Sequence, residues 1–310
     1  MSLFNKLYKI LSLVLANSAW EKKSIWLVAD YPDYASRRRK KIFFHKFGIE
    51  IMRGECEFFL DGFEYIRQLY ELGDFSFSSE NGVIVAKGKD FTTEIHTAEE
   101  LFILREICLS RDYNFQSCGD VVVIDIGMNV GLASLFFASR EDVEHVYGFE
   151  PFKPTYLQCL RNLEKNHKLS HKISASNFGL AHDHQTLEVD YDFEYKGQVG
   201  IHGTGLIRSS LKSVSKEKIK LEPIIPEIKK IIDLHPGMGV VCKIDCEGGE
   251  YDIFRLFSEH GIPEAIKVIM MEWHQKGPER LLDTLRLNNF RSVATYAYRQ
   301  DVGMIYAFRQ

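Results

Sequence analysis

A chain of 310 residues with 45% apolar and 26% charged side chains has the balance of an ordinary globular protein: one large domain, or one domain with an N-terminal elaboration. Its net charge of −4 leaves no global basic field for a nucleic acid, and no stretch approaches the ~18 uninterrupted apolar residues of a membrane span. The six cysteines form no C-x-x-C pair, and Cys242 and Cys246 have no nearby Cys/His pair to complete a zinc site, so reduced thiols in the cytoplasm are expected.

At the N-terminus, Lys6 and Lys9 precede the apolar run Ile10 to Ala16, a loose imitation of a signal peptide. The run is short, and Leu3, Phe4, Leu7, Ile10 and Leu11 also fit an amphipathic helix that packs or rests on a membrane surface. The basic run Arg37 to Lys41 has two readings: a solvated helix start or loop, or a contact for an anion or membrane surface. Residues 1–95 are expected to form an elaboration of helix and turn ending in a hairpin, with strands Gly82 to Ala86 and Phe91 to Ile95. Thr97 followed by Glu99 and Glu100 reads as a helix start, and Leu101, Leu104, Ile107 and Cys108 form its apolar face.

From residue 120 strands and helices alternate. Predicted strands are Val121 to Ile126, His145 to Phe149, Lys172 to Phe178, Met238 to Ile244 and Ala265 to Met271. Helices are expected over Leu132 to Ser139, Thr155 to Asn166, Tyr251 to His260 and Glu279 to Asn288. Ser292 to Tyr296 and Met304 to Phe308 suggest a terminal antiparallel pair. Continuous apolar strands alternating with helices imply an α/β fold with a doubly wound, mostly parallel sheet in a second domain, 96–310. Ligands then bind at the carboxyl ends of the strands. A long insertion at about 181–237, rich in glycine around Tyr195, His202 and Thr204, is either a substrate lid or a partly ordered segment.

Four clusters fall at those strand ends. Asp125-Ile126-Gly127-Met128-Asn129-Val130-Gly131 is a glycine turn, where missing Cβ atoms let the backbone approach a ligand. Its spacing is not the G-x-G-x-x-G of dinucleotide enzymes. Phe149-Glu150-Pro151 ends the next strand about twenty residues on. There a carboxylate either accepts both hydroxyls of a ribose or caps the following helix. Lys243-Ile244-Asp245-Cys246-Glu247-Gly248-Gly249-Glu250 gathers carboxylates beside two glycines. Charges so near a buried strand are paired, as Lys243 with a carboxylate, or used in chemistry. Met271-Glu272-Trp273-His274 follows the last parallel strand, and His274 is either a base, a substrate contact or a surface residue.

These motifs resemble the FkbM family of methyltransferases, with its D-x-G-A-N-x-G turn, F-E-P and K-x-D-x-E-G-x-E motifs. Glu100 to Phe115, with Glu106 and Tyr113, resembles the segment before the family's turn, and the resemblance spans about 95–275. Met128 stands where the family has a small residue, which would tighten the pocket, and Gly249 where alanine or an aromatic is common. The resemblance implies a class I, Rossmann-like methyltransferase domain over 96–310 that uses S-adenosylmethionine to methylate a hydroxyl of a sugar, glycan or secondary metabolite. It implies that Asp125, Gly127, Asn129 and Gly131 border the methionine part of the cofactor, Glu150 takes the ribose, and Asn177 and Phe178 border adenine. Asp245 or Glu247, with His274 as competitor, would remove the hydroxyl proton. A divalent cation held by the carboxylates stays open at this level. So do two other readings: a catalytically inactive cofactor-binding scaffold of the same fold, and a nicotinamide-dependent oxidoreductase.

Overall fold

A computed structural model describes residues 41–44, 47–52, 56–80, 82–200, 203–204, 214–296 and 301–310. The N-terminal amphipathic or signal-like segment, most of the basic run and His202 lie outside the described residues. The chain divides into two compact units, Met1–Leu109 and Ser110–Gln310, so the helix begun at Thr97 belongs to the first.

In the first unit, a hairpin pairs Lys41–Phe44 with Ile49–Met52, and an antiparallel sheet joins Ser76–Glu80, Val83–Lys87 and Thr92–Ile95. The helix Ala98–Arg105 starts where its sequence signal stands: Thr97 Oγ1 accepts the Glu100 backbone N–H at 3.2 Å. Glu100 reaches back to accept the His96 N–H at 2.7 Å.

The second unit holds strands β1 (Val121–Ile126), β2 (Val143–Phe149), β3 (Ile173–Ser176), β4 (Gly179–Ala181), β5 (Gln185–Asp192), β6 (Val214–Pro223), β7 (Gly239–Ile244), β8 (Ile266–His274), β9 (Phe290–Ala294) and β10 (Val302–Arg309). Its main helices are α1 (Leu132–Ala138), α2 (Lys153–Lys165), α3 (Ile224–Leu234), α4 (Glu250–His260) and α5 (Glu279–Leu287). One seven-stranded sheet runs β9-β10-β8-β7-β1-β2-β3. Its β8-β7-β1-β2-β3 portion is parallel, and β10 pairs antiparallel with both β8 and β9. All six residues of β1 are buried, although successive side chains point to opposite faces, so the sheet is covered on both sides. Trp273 at the end of β8 is fully buried; a large apolar side chain so placed contributes roughly 1.5–3 kcal/mol.

β8 is longer than the sequence suggested. Glu272, Trp273 and His274 pair with Met304, Gly303 and Val302, so the antiparallel partner extends the strand and carries His274 inside it. The described part of the 181–237 segment holds regular structure. β5 and β6 form a hairpin, and β4 completes a second sheet in the order β5-β6-β4. Ile219, Leu221, Val189, Tyr191 and Phe152 form its own core, while Ile224, Ile228 and Ile231 of α3 join the main one.

Candidate active site

β1 and β7 lie side by side, with α1 and α4 following them, so the strand order reverses at this pair. That reversal opens a crevice at the carboxyl ends. The glycine turn leaves β1 with Gly127 at φ +79°, and a Cβ there would overlap the Asp245 carbonyl oxygen. Gly127 and Met128 both donate their N–H groups to the Phe149 carbonyl, at 3.1 and 3.0 Å, which pins the turn to the end of β2. Met128 does not tighten the crevice. Its side chain is buried beneath the turn, 3.7 Å from Cys159 Sγ, in space that Gly148 leaves by having no Cβ.

Glu150 stands between two backbone segments. One carboxylate oxygen accepts the Asn129 N–H at 2.9 Å and the other the Phe152 N–H at 2.9 Å. The helix-capping reading is not realised: the N-cap is Phe152, two residues on, and Glu150 accepts that residue's own N–H rather than one from the first turn. Each oxygen keeps a further lone pair, and Glu150 also lines the cleft. Burial raises its pKa to about 7 against the opposing pull of those two N–H donors.

Under the turn lies a buried charge cluster. Asp125 Oδ2 accepts the Ser134 hydroxyl at 2.7 Å, and Oδ1 is 3.1 Å from Lys243 Nζ. Lys243 also donates to the Gly127 carbonyl at 2.6 Å and lies 3.5 Å from Asp245 Oδ2. Burial would lower the lysine pKa, but the carboxylates of Asp125 and Asp245 outweigh it and hold it above its ordinary value. Tyr113 donates its hydroxyl to Asp245 Oδ2 at 3.2 Å, and its ring lies 5.4 Å from the ammonium.

A second cluster joins the loop after β7 to the end of β8. Glu250, fully buried, accepts the Gly248 N–H through Oε2 and the His274 N–H through Oε1, each at 2.8 Å. Oε1 is also 3.2 Å from His274 Nδ1, so Glu250 orients the imidazole from behind. His274 Nε2 then faces Glu247 Oε2 at 3.5 Å and Glu272 Oε1 at 3.8 Å. Burial opposes protonation of His274, but Glu250 and Glu247 prevail and raise its pKa to about 10. Burial also raises Glu247, at a backbone φ of +49°.

An open cleft connects these features. Gly127, Asn129, Glu150, Asp245 and Glu247 line it, whereas Asp125 and Gly131 support the turn from below and His274 stands outside the lining. Asn177 and Phe178 are not in the wall: Asn177 donates to the Glu150 and Pro151 carbonyls at 2.9 and 3.2 Å, and Phe178 packs on Phe149. The adjacent Gly179 and Leu180 line it instead, with Phe149, Phe152 and Leu221. Lys196, Gly197, Val199 and Gly200 of the 181–237 segment complete the lining. The glycine-rich composition of that segment was the one sequence signal for them.

A mostly parallel seven-stranded sheet ending in an antiparallel pair, with its cleft at the β1/β7 switch point, has the class I, Rossmann-like methyltransferase architecture. The chain belongs to the FkbM methyltransferase family, whose domain model matches residues 125–292. It is 25% identical over 241 residues to Methyltransferase sdnD of Sordaria araneosa, covering 70% of this chain and 92% of that one. It is 26% identical to Methyltransferase 1 of Beauveria bassiana, covering 55% and 74%. The FkbM methyltransferase structure from Methylobacillus flagellatus KT aligns at 18% identity and a TM-score of 0.40, over 66% of this chain and 48% of that chain.

Proposed function

We propose that the protein transfers a methyl group from S-adenosylmethionine to a hydroxyl of a sugar, glycan or secondary metabolite. The observation that carries this reading is the composition of the cleft: apolar walls from Phe149, Phe152, Leu180 and Leu221 beside the carboxylates of Glu150, Asp245 and Glu247. The apolar walls suit a purine, and Glu150, aimed from a rigid strand end, suits ribose hydroxyls. The acidic side suits a cationic ligand and opposes the pyrophosphate of a nicotinamide dinucleotide. When bound, S-adenosylmethionine supplies a methyl carbon already attached to a good leaving group.

What remains for the protein is alignment and proton removal. Gly127 and Asn129 offer close backbone approach, and Lys243 braces the turn through the Gly127 carbonyl. Asp245 and Glu247, at the carboxyl edge of β7, take the acceptor hydroxyl and its proton, with His274 behind Glu247. A scaffold that had lost catalysis would have little use for three carboxylates turned toward one cleft, where withdrawing their charges from water is costly. The cysteine content fits residence in the reducing cytoplasm.

The test is binding of S-adenosylhomocysteine, read as a rise in melting temperature and as heat in calorimetry. No shift at about 100 times a micromolar-range Kd, near a tenth of a millimolar, and none at a millimolar, would remove this reading.

A further inference from the structure

We propose that Asp245, Glu247 and His274 form a binding site for one divalent cation, held at the edge of the cleft between its carboxylate side and the end of β8. The proposal does not need the methyltransferase reading for the site, but rests on it for the site's use. One ligand-capable atom of each of the three residues lies within 4.8 Å of the others. Atoms about 2.1 Å from a shared ion lie roughly 3.0–4.2 Å apart, so His274 Nε2 and Glu247 Oε2 at 3.5 Å are already at ligand spacing, and a rotation of the Asp245 side chain toward them would complete the set.

Two observations beyond the cluster of carboxylates point to an ion. His274 is 7% exposed, and its Nε2 makes no hydrogen bond among the described residues; it is aimed at Glu247 and Glu272 from 3.5 and 3.8 Å. The far side of the same ring is fixed by Glu250, so that once Nε2 gives up its proton to an incoming ion its lone pair is aimed at the carboxylates. The charge balance points the same way. Asp245, Glu247, Glu250 and Glu272 crowd one pocket, while the nearest lysine, Lys243, is already 3.1 Å from Asp125. Neither Glu247 nor Glu272 receives a hydrogen bond among the described residues; their partly exposed side chains repel across His274, and a divalent cation would offset more of that charge than one imidazolium does.

Two carboxylates and one imidazole suit a borderline first-row ion such as Mn²⁺ better than Ca²⁺. Three protein ligands leave positions open; Asp245 and Glu247 would then hold the ion rather than take the proton, and an acceptor hydroxyl entering an open position would be polarised and aligned beside the cleft, its proton passing to solvent.

The experiment is titration of chelator-stripped protein with Mn²⁺, following loss of the free-ion paramagnetic resonance signal, with S-adenosylhomocysteine binding measured in parallel. One Mn²⁺ per chain is expected, with affinity reduced ~10–100-fold in Glu250→Gln and by at least that in Glu247→Gln and His274→Ala. Glu247→Gln is the decisive variant if His274→Ala fails to fold. No binding of Mn²⁺, Zn²⁺ or Mg²⁺ at a millimolar overturns the site, as does binding that all three variants retain. Mn²⁺ bound without S-adenosylhomocysteine would uphold the site and reject the methyltransferase reading; the reverse would reject the site alone.

Discussion

Asp125 and Lys243 occupy the same register position on neighbouring parallel strands, and their buried charges meet 3.1 Å apart beneath the glycine turn. The ammonium also holds the Gly127 carbonyl at 2.6 Å, so a single side chain links the sheet core to the backbone that faces the ligand. Lys243→Met should therefore destabilise the fold by about 3–5 kcal/mol, because it strands Asp125 as an unpaired buried charge. Lys243→Met with Asp125→Asn should recover much of that loss in urea unfolding. A single variant that loses under about 1 kcal/mol would show that the pair contributes little.

Glu150 makes a pH-dependent prediction. Burial sets its folded-state pKa near 7, against about 4.3 in an unfolded chain, so the folded state holds the proton through that window. Stability then falls as pH rises from about 4 through 7, and Glu150→Gln should flatten the part of the slope that belongs to this group. Affinity for S-adenosylhomocysteine should rise over the same window, since the ionised carboxylate is the stronger acceptor. Parallel slopes in wild type and Glu150→Gln, from unfolding at pH 5 and pH 8, would contradict the assignment.

Asp245 and Glu247 differ in their surroundings: Asp245 accepts the Tyr113 hydroxyl, whereas Glu247 faces His274 Nε2 at 3.5 Å. Amide replacement at the residue that accepts the proton should lower turnover by ~10²–10⁴ while S-adenosylhomocysteine affinity changes little. Near-normal turnover in both Asp245→Asn and Glu247→Gln would take proton removal away from these carboxylates, and His274 could inherit it only at alkaline pH, where its imidazole with a pKa of about 10 loses its proton.

Gly200 packs so closely on the loop after β7 that a Cβ would overlap the Glu247 carbonyl oxygen. Gly200→Ala should push the Lys196–Gly200 segment off the cleft and weaken S-adenosylhomocysteine binding by ~10-fold, with amide exchange in the main sheet unchanged. Unaltered affinity would mean that the segment is not part of the ligand's enclosure.

The parallel core was legible because Val121 to Ile126 and Met238 to Ile244 are apolar but for Asp125, Gly239 and Lys243, and each is followed by a glycine or an acid at the end where the crevice opens. That pattern put Gly127, Asn129, Glu150, Asp245 and Glu247 at one edge before any coordinates, and the cleft brings them together. The Tyr113–Asp245 hydrogen bond was not legible: its partners are 132 residues apart, and no local pattern encodes that approach. The β5–β6 hairpin was hidden because its outward positions are charged, Asp190 facing Lys216 and Glu188 facing Lys218, so the composition read as loop. His274 looked like a residue beyond its strand because the pairing that extends β8 comes from Val302, far along the chain.

The acid side of the cleft has a consequence for turnover. Glu150, Asp245 and Glu247 attract a ligand carrying positive charge, and methyl transfer converts a sulfonium to a neutral thioether. In the reaction proposed above, the same carboxylates would grip the fresh cofactor more firmly than the spent one, and the attraction would end at the moment the reaction does. Exchange of product for new cofactor would then be driven downhill by the site's own electrostatics, and added salt should narrow the affinity gap between the two forms.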